Sequence, residues 1–115
     1  MSSFTSSVRR GEHLTCVVDL EGYLDAHTAS NLEQAISTAM EQGCRKFVMN
    51  FALLDYISSA GLGVFMVFYE AIRADGGDIR MAAMQPHVFH VFDLLGFPVL
   101  FPIYNTVEDA IQSYA

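Results

Sequence analysis

The chain has 115 residues and carries 13 Asp and Glu against 6 Lys and Arg, so its formal net charge is -7 with His neutral. This length suits one domain with one hydrophobic core, and the 52% of hydrophobic residues excludes intrinsic disorder. The sequence has no apolar run near the roughly 18 residues of a membrane span and no apolar leader, which predicts a cytoplasmic protein without a membrane span. It also has no dense cluster of Lys and Arg, which predicts that the protein does not bind nucleic acid.

Strands and helices are predicted to alternate in the first half of the chain, after an opening segment that is loose or forms an edge strand. Residues 14–20 are β-branched and apolar, which predicts a buried strand that stops at residues 21–22. Apolar residues at helical spacing then predict a helix over residues 27–43, with glycine at its C-terminal cap. Residues 46–51 predict the next strand, and residues 53–57 lead from it into a turn of small residues.

The second half of the chain continues the alternation. Residues 62–76 begin with side chains that are apolar on every side, and their length of about four turns predicts a helix rather than a strand. Residues 79–84 predict a strand, and residues 86–96 predict a helix with proline in its first turn. A last strand near residues 99–104 precedes an amphipathic helix over residues 106–114. The order β-β-α-β-α-β-α-β-α predicts an α/β fold with a mixed, mostly parallel sheet.

The turn over residues 57–64, with the sequence ISSAGLGV, places two hydroxyls where a strand ends and a helix begins. In an α/β layout, ligands and partners meet the sheet at the carboxyl ends of the strands, and the helix that follows directs free N–H groups to the same place. A phosphoryl group on Ser59 would be stabilised there by about 0.3 to 1 kcal/mol. The alternative is that Ser58 and Ser59 only cap the helix, and the two roles are compatible.

Three segments together resemble the STAS domain of bacterial anti-sigma-factor antagonists: GYLD at residues 22–25, KFVMNF at 46–51 and ISSAGLGV at 57–64. The resemblance covers nearly the whole chain and identifies residues 1–115 as a single STAS domain. It implies a small sheet with about four helices packed mainly on one side. The signature turn of this family is an acid, then Ser, then Ser or Thr, then Gly-Leu-Gly.

The resemblance assigns roles to individual residues of the turn. By position, Ser59 matches the phosphoacceptor serine of the family, Ala60 matches its Ser or Thr, and Gly61 matches its glycine. Two positions depart from the pattern. Ser58 stands where the family usually has Asp before the acceptor, and Asn50 stands where it usually has Asp in the strand. Both departures remove a carboxylate.

Two other acids are candidates for the partner-binding surface. Asp25 matches a family acid near that surface, although it can equally be the cap of the first helix, as can Thr28. Asp55 lies three residues before Ser58 and is a candidate substitute for the missing acid. Together with the turn, they give the partner-binding set that the resemblance implies: Asp25, Asp55, Ser58, Ser59, Ala60, Gly61 and Leu62.

The resemblance also implies a binding switch rather than an enzyme, with no cofactor and no metal. With Ser59 unphosphorylated, the protein is expected to dock on an anti-sigma factor that is itself a Ser/Thr kinase of the GHKL type. Phosphorylation would add about -1.5 to -2 charges to an acidic surface and release the complex. A PP2C-type phosphatase would then reset the switch.

Two other functions compete with this one. The stronger alternative is a STAS domain that is never phosphorylated and serves as a structural or interaction subunit of a transporter or a signalling complex. An enzyme is the other alternative, but the turn lacks the Gly-x-Ser-x-Gly pattern of a nucleophile elbow. Such an enzyme would combine Ser59 as nucleophile with a base and an orienting acid taken from His27, His87, His90, Asp25 and Asp93.

The cysteines and the paired histidines are expected to have no role in a metal site. Cys16 and Cys44 are too few and too far apart in sequence for a disulfide framework or a paired-Cys zinc site, which predicts buried free thiols. His87 and His90 lie three residues apart on a predicted helix, a spacing that permits metal ligation. No third ligand lies nearby in the sequence, so a solvent-facing or capping role is favoured for both.

Overall fold

The computed structural model describes residues 3–115, and within that range five strands and four α-helices follow the predicted order. The strands are β1 (Phe4–Arg10), β2 (Thr15–Leu24), β3 (Lys46–Ile57), β4 (Asp78–Ala82) and β5 (Ile103–Tyr104). The helices are α1 (Ala29–Glu41), α2 (Ser59–Ala74), α3 (Pro86–Leu94) and α4 (Val107–Gln112). Two short 3-10 helices lie at Glu12–Leu14 and Phe97–Val99.

The sheet has the strand order β1-β2-β3-β4-β5, in which every strand lies beside its neighbour in sequence. β1 pairs antiparallel with β2, and the other three pairings are parallel. Parallel neighbours need a crossover connection, and α1, α2 and α3 provide the three crossovers. The predicted mixed, mostly parallel sheet is therefore confirmed.

The sheet separates two cores of unequal size. The main core lies between the sheet and the helices α1, α2 and α3, and its aromatic centre is the contact of Phe51 with Phe65 and Phe92. α4 packs on the opposite face, where Ala110 and Ile111 cover Val17, Val48 and Ala82 of the sheet. Helices thus pack mainly on one side, as the family resemblance implies.

Several predicted strand ends are wrong. β2 runs on to Leu24 instead of stopping at residues 21–22, because Gly22 adopts a φ of +100° that keeps the strand paired. A Cβ at Gly22 would overlap the carbonyl oxygen of Ser3, so this glycine permits a close approach of two strands rather than ending one. The last strand contains only Ile103 and Tyr104, since Val99 ends the 3-10 helix at Phe97–Val99 and residues 100–102 form an irregular connection.

The expectation of free thiols is also wrong. Cys16 and Cys44 form a disulfide, with their Cα atoms 6.1 Å apart, and both side chains are buried. Cys16 lies at the start of β2, and Cys44 lies two residues before β3. These strands pair in parallel from their first residues, Thr15 and Lys46. The crossover through α1 therefore returns the chain to the same end of the sheet, which brings together two cysteines that are distant in sequence.

Candidate functional site

The turn between β3 and α2 is fixed by hydrogen bonds on both sides of Ser58. The Ser58 backbone N–H donates to the Leu24 carbonyl oxygen at 2.9 Å, which ties the turn to the end of β2. Ser58 has an extended backbone and is the N-cap of α2, with its Oγ accepting from the Gly61 N–H at 3.3 Å. Of the two serines considered as caps, Ser58 is the one that takes this role.

Ser59 is the first residue of α2, and its side chain is exposed. Its hydroxyl makes no hydrogen bond to any other residue in the range 3–115. The N–H groups in the first turn of a helix lack intrahelical partners, and here Ser58 Oγ satisfies that of Gly61. A free hydroxyl therefore lies at the positive end of a 16-residue helix, where added negative charge is stabilised.

Gly61 and Leu62 lie on the buried side of α2. Leu62 is 2% exposed and belongs to the main core. A Cβ on Gly61 would lie 2.8 Å from Leu24 Cγ and 2.9 Å from the Leu24 carbonyl oxygen, so glycine lets the helix pack this close to β2. These two members of the predicted partner-binding set position the turn and offer little surface to a partner.

The opposite side of α2 is exposed and has few side-chain atoms near Ser59. Ala60, Gly63 and Val67 are exposed, and a Cβ on Gly63 would meet nothing within 4 Å. Residues 59, 63 and 67 are spaced by four and therefore share one face of the helix. The first turns of α2 present a shallow surface that another protein can approach closely.

Asp25 organises the loop that leads into α1. Its Oδ1 accepts from the His27 N–H at 2.9 Å and from the Thr28 N–H at 3.2 Å. Thr28 precedes α1 without a capping hydrogen bond from its side chain, and its Oγ1 donates to the Tyr23 carbonyl oxygen at 2.8 Å. Asp25 therefore holds the loop before α1 at the carboxyl end of β2, and the N-cap residue of the helix, Thr28, makes no capping hydrogen bond with its side chain.

Asp55 lies in a bulge of β3, close to the end of the strand. Its neighbours Leu54 and Tyr56 pair with Gly22 and Tyr23, which are consecutive residues of β2, so Asp55 is the extra residue. Its carboxylate is exposed and has no hydrogen-bond or ion-pair partner in the part of the chain that the structure describes. It makes no contact of this kind with either serine of the turn.

Side chains at the start of α3 donate hydrogen bonds to backbone carbonyl groups of this bulged part of β3. β3 continues past the end of β4, which would leave carbonyl groups of β3 unpaired. Gln85 Nε2 donates to the carbonyl oxygens of Ala52 and Leu54 at 3.1 and 3.0 Å. His87 Nε2 donates to the carbonyl oxygen of Asp55 at 2.6 Å. The side chains of Gln85, just before α3, and of His87 in its first turn thus hold in place the strand that ends at the Ser59 turn.

Tyr23 and Tyr56 form an exposed pair that the sequence analysis missed. They are register partners across β2 and β3, and their ring centroids lie 5.7 Å apart. Each is 46% exposed, and Leu53 next to them is 61% exposed. Alternation along β2 is a signal that Tyr23 faces away from the main core. Its pairing with Tyr56, however, depends on two bulges in β3 that leave no pattern in the sequence.

A polar cluster lies on the same face of the sheet, between the tyrosines and α4. Arg9 Nε donates to Asp19 Oδ2 at 2.7 Å, and Asn50 Nδ2 donates to Asp19 Oδ1 at 2.8 Å. Burial raises the pKa of Asp19, but the hydrogen bonds from Arg9 and Asn50 and the charge of Arg9 outweigh it, so this pKa lies below its usual value. Asn50, which departs from the family pattern, is therefore an amide donor to a carboxylate.

The side chains proposed for a catalytic or metal site are not brought together. His27, His87 and His90 make no hydrogen bond to Ser59 within residues 3–115. In the same range, no group of three or more His, Cys, Asp and Glu side chains is placed to hold a metal ion. None of the described helices combines the length and the apolar character needed to cross a membrane.

The sequence pattern of the STAS domain matches residues 6–110. The chain belongs to the STAS domain family. This STAS domain is 34% identical over 95 residues to BtrV of Bordetella bronchiseptica, which bears the name of an anti-sigma factor antagonist. The match covers 83% of this chain and 82% of BtrV.

Solved structures agree with this assignment. An anti-sigma factor antagonist from Mycobacterium paratuberculosis has a TM-score of 0.87 and 28% identity, over 97% of this chain and 94% of that chain. SpoIIAA, a cell fate determinant of Bacillus, is 26% identical. Its unphosphorylated form has a TM-score of 0.81 over 95% of each chain, and its phosphorylated form has 0.75 over 96% of this chain and 100% of that chain. These relatives are anti-sigma factor antagonists, which are binding proteins rather than enzymes.

Proposed function

We propose that this STAS domain is an anti-sigma-factor antagonist whose binding is switched by phosphorylation of Ser59. The observation that carries the proposal is the exposed Ser59 hydroxyl at the first residue of α2, which makes no hydrogen bond to the described residues. SpoIIAA supports it, because this 26% identical antagonist has been solved in a phosphorylated form.

In the unphosphorylated state, the domain docks on an anti-sigma factor that is itself a Ser/Thr kinase of the GHKL type and displaces the sigma factor. The ATP site belongs to the kinase. Ser59 Oγ attacks the γ-phosphorus of ATP, the bond to ADP breaks, and the hydroxyl proton passes to a base of the kinase or to solvent. The N–H groups at the start of α2 then stabilise the phosphate on the released domain.

Release follows from adding charge to a surface that must lose its water. The chain already has a net charge of -7, and the phosphate adds about -1.5 to -2. Changing a complex from 99% bound to 99% free takes about 5.5 kcal/mol, whereas an exposed ion pair contributes at most about 1 kcal/mol. The phosphate must therefore lie near the centre of the interface. A partner that covers the exposed residues Ala60, Gly63 and Val67 also covers Ser59 and places it there. A PP2C-type phosphatase resets the switch.

Mass spectrometry tests the modification site. The domain is incubated with the purified anti-sigma factor kinase of the same genome and Mg-ATP, and phosphopeptides are mapped. We expect phosphate on Ser59 in the wild type and none on Ser59→Ala. Ser58→Ala is the matched control, because it removes the neighbouring hydroxyl at a cost of about 1 to 2 kcal/mol in capping and should still be phosphorylated if Asp55 positions the kinase. Phosphate mapped to another residue would refute the assignment.

A binding assay tests the switch itself and separates it from the alternative of a static subunit. The same kinase without ATP is titrated against wild type, Ser59→Ala and Ser59→Asp. The switch predicts retained binding for Ser59→Ala and a large loss for Ser59→Asp, since the added carboxylate carries part of the charge of a phosphate. Equal affinity of the two variants would favour a STAS domain that serves as a structural subunit and is not controlled at this serine.

A further inference from the structure

One face of the sheet is only half covered by helices. α4 packs over Val17, Val48 and Ala82, and the cluster around Asp19 follows next along the strands. Beyond that cluster, towards the carboxyl ends of β2 and β3, the same face presents Leu53 and the neighbouring rings of Tyr23 and Tyr56. We call these three side chains, together with the carboxylates of Glu21 and Asp55 beside them, the tyrosine face. Exposed aromatic and aliphatic side chains grouped in this way indicate an interaction surface.

The charge of the tyrosine face is uncompensated within the described chain. Glu21 and Asp55 line one shallow pocket with Tyr23, and neither carboxylate has an ion-pair or hydrogen-bond partner in residues 3–115. The six Lys and Arg side chains are all engaged at other places. Arg9 binds Asp19, Arg10 binds Cys16 Sγ, Arg45 binds Asp75, Lys46 binds the His13 carbonyl oxygen, and Arg73 and Arg80 bind Asp78.

These features define the chemistry of the missing partner group. Two electron-rich rings beside two unpaired carboxylates favour a cation that can stack on an aromatic face and donate hydrogen bonds to the carboxylates. The planar guanidinium of arginine satisfies both requirements better than the ammonium of lysine. The chain already uses this contact elsewhere, because the guanidinium of Arg80 lies 3.8 Å from the ring centroid of Tyr114.

We propose that the tyrosine face is a second docking surface for the anti-sigma partner and that it receives an arginine-bearing segment of that partner. This inference rests on the proposed function, since it needs the partner that docks at Ser59. The two surfaces are close together, because Tyr56 precedes Ser59 by three residues and their Cα atoms lie at most about 11 Å apart. A second copy of this chain does not suit the face, because two copies would bring Glu21 and Asp55 of one against the same carboxylates of the other.

Titration of the purified anti-sigma factor kinase, in the absence of ATP, tests the proposal. Tyr23→Ala and the double variant Glu21→Gln, Asp55→Asn are each expected to lower the affinity about tenfold. Tyr23→Phe keeps the ring and should bind as the wild type does. The affinity of the double variant should also fall less with added salt than that of the wild type, because the contact it removes is ionic. Thermal unfolding of each variant checks that the fold is intact.

Matched controls and the alternatives decide the outcome. Val99→Ala removes apolar atoms from a residue that is 89% exposed and distant in sequence from the tyrosine face, and Glu33→Gln removes an exposed charge from α1. Both variants should bind the kinase with the affinity of the wild type. Unchanged affinity of the tyrosine-face variants, with Ser59→Asp still blocking binding, would overturn this inference and leave the proposed function standing. Failure of the wild type itself to bind the kinase would overturn both. A wild-type dimer in sedimentation that Tyr23→Ala abolishes would assign the face to a second copy instead.

Discussion

Two glycines in the first turns of α2 should respond in opposite directions to the same substitution. Gly61 is buried against β2, where a Cβ would lie 2.8 Å from Leu24 Cγ, 2.9 Å from the Leu24 carbonyl oxygen and 3.1 Å from Ile57 Cγ1. Gly63, two residues later, is exposed, and a Cβ there would meet nothing within 4 Å. Replacing each glycine by alanine therefore adds one methyl group either to a filled space or to an open one.

The two effects can be estimated separately. Glycine inside a helix costs about 0.8 to 1 kcal/mol relative to alanine, so Gly63→Ala should raise the free energy of unfolding by about 1 kcal/mol. Gly61→Ala gains at most the same amount of stability from the helix propensity of alanine, but overpacking of the added methyl group costs about 1 to 3 kcal/mol. The upper part of that range applies because the Leu24 carbonyl oxygen also accepts the Ser58 N–H and cannot move without loosening the turn. The net result is a loss of about 1 to 2 kcal/mol.

Urea and thermal unfolding of the two variants and the wild type measure these values. A difference of about 2 to 3 kcal/mol between the variants corresponds to roughly 8 °C or more in Tm for a domain of this size. The kinase titration adds an independent result, since Gly63→Ala should weaken partner binding although it stabilises the fold, if the exposed face of α2 is the interface. A less stable Gly63→Ala, or a Gly61→Ala as stable as the wild type, would refute the packing argument.

Three further predictions concern stability. Reducing the disulfide between Cys16 and Cys44, whose sequence separation is 28, should lower the free energy of unfolding by about 3 to 4 kcal/mol, and coincident urea curves with and without dithiothreitol would contradict this. Burial raises the pKa of Tyr114. The unfolded chain then loses this proton at lower pH than the folded one, so stability should fall as the pH rises above about 10, and Tyr114→Phe should reduce that slope in unfolding experiments at alkaline pH. Asn50→Asp places a second carboxylate against Asp19 and should lower the free energy of unfolding by about 1 to 3 kcal/mol at neutral pH. Stability should recover on acidification, because one of the two carboxyls then takes up a proton. A variant whose stability does not depend on pH would contradict this explanation.

The order of elements was accessible from the sequence because each helix and strand has a local pattern. The helix that follows the Ser59 turn shows how far such patterns reach. Its first residues are apolar on every side, and its length decided in favour of a helix, which is confirmed as α2. A serine cap was also predictable, since two serines precede an apolar run, and the structure assigns the cap to Ser58, whose Oγ accepts from the Gly61 N–H. Both are local properties of the chain.

The features that the sequence analysis missed depend on how distant segments meet. The disulfide joins Cys16 to Cys44 only because β2 and β3 pair from their first residues. Tyr23 and Tyr56 lie side by side because two bulges in β3 shift its register against β2. A bulge adds one residue without a characteristic residue type, so the face on which a later side chain lies cannot be derived from alternation alone. The grouping of side chains that forms the tyrosine face therefore could not be predicted from the sequence.

The absence of the usual acid before Ser59 changes where the negative charge of the domain lies. Ser58 caps α2 with a neutral oxygen, so a phosphate on Ser59 meets no like charge from its neighbour, and the start of the helix stabilises it more fully. Two carboxylates without a partner among the described residues, Glu21 and Asp55, lie on the sheet face beside the tyrosines. We therefore expect recognition of the unphosphorylated domain to depend strongly on the tyrosine face. Introducing the usual acid with Ser58→Asp should lower the stabilisation of the phosphate and leave the contribution of Tyr23 to partner binding unchanged.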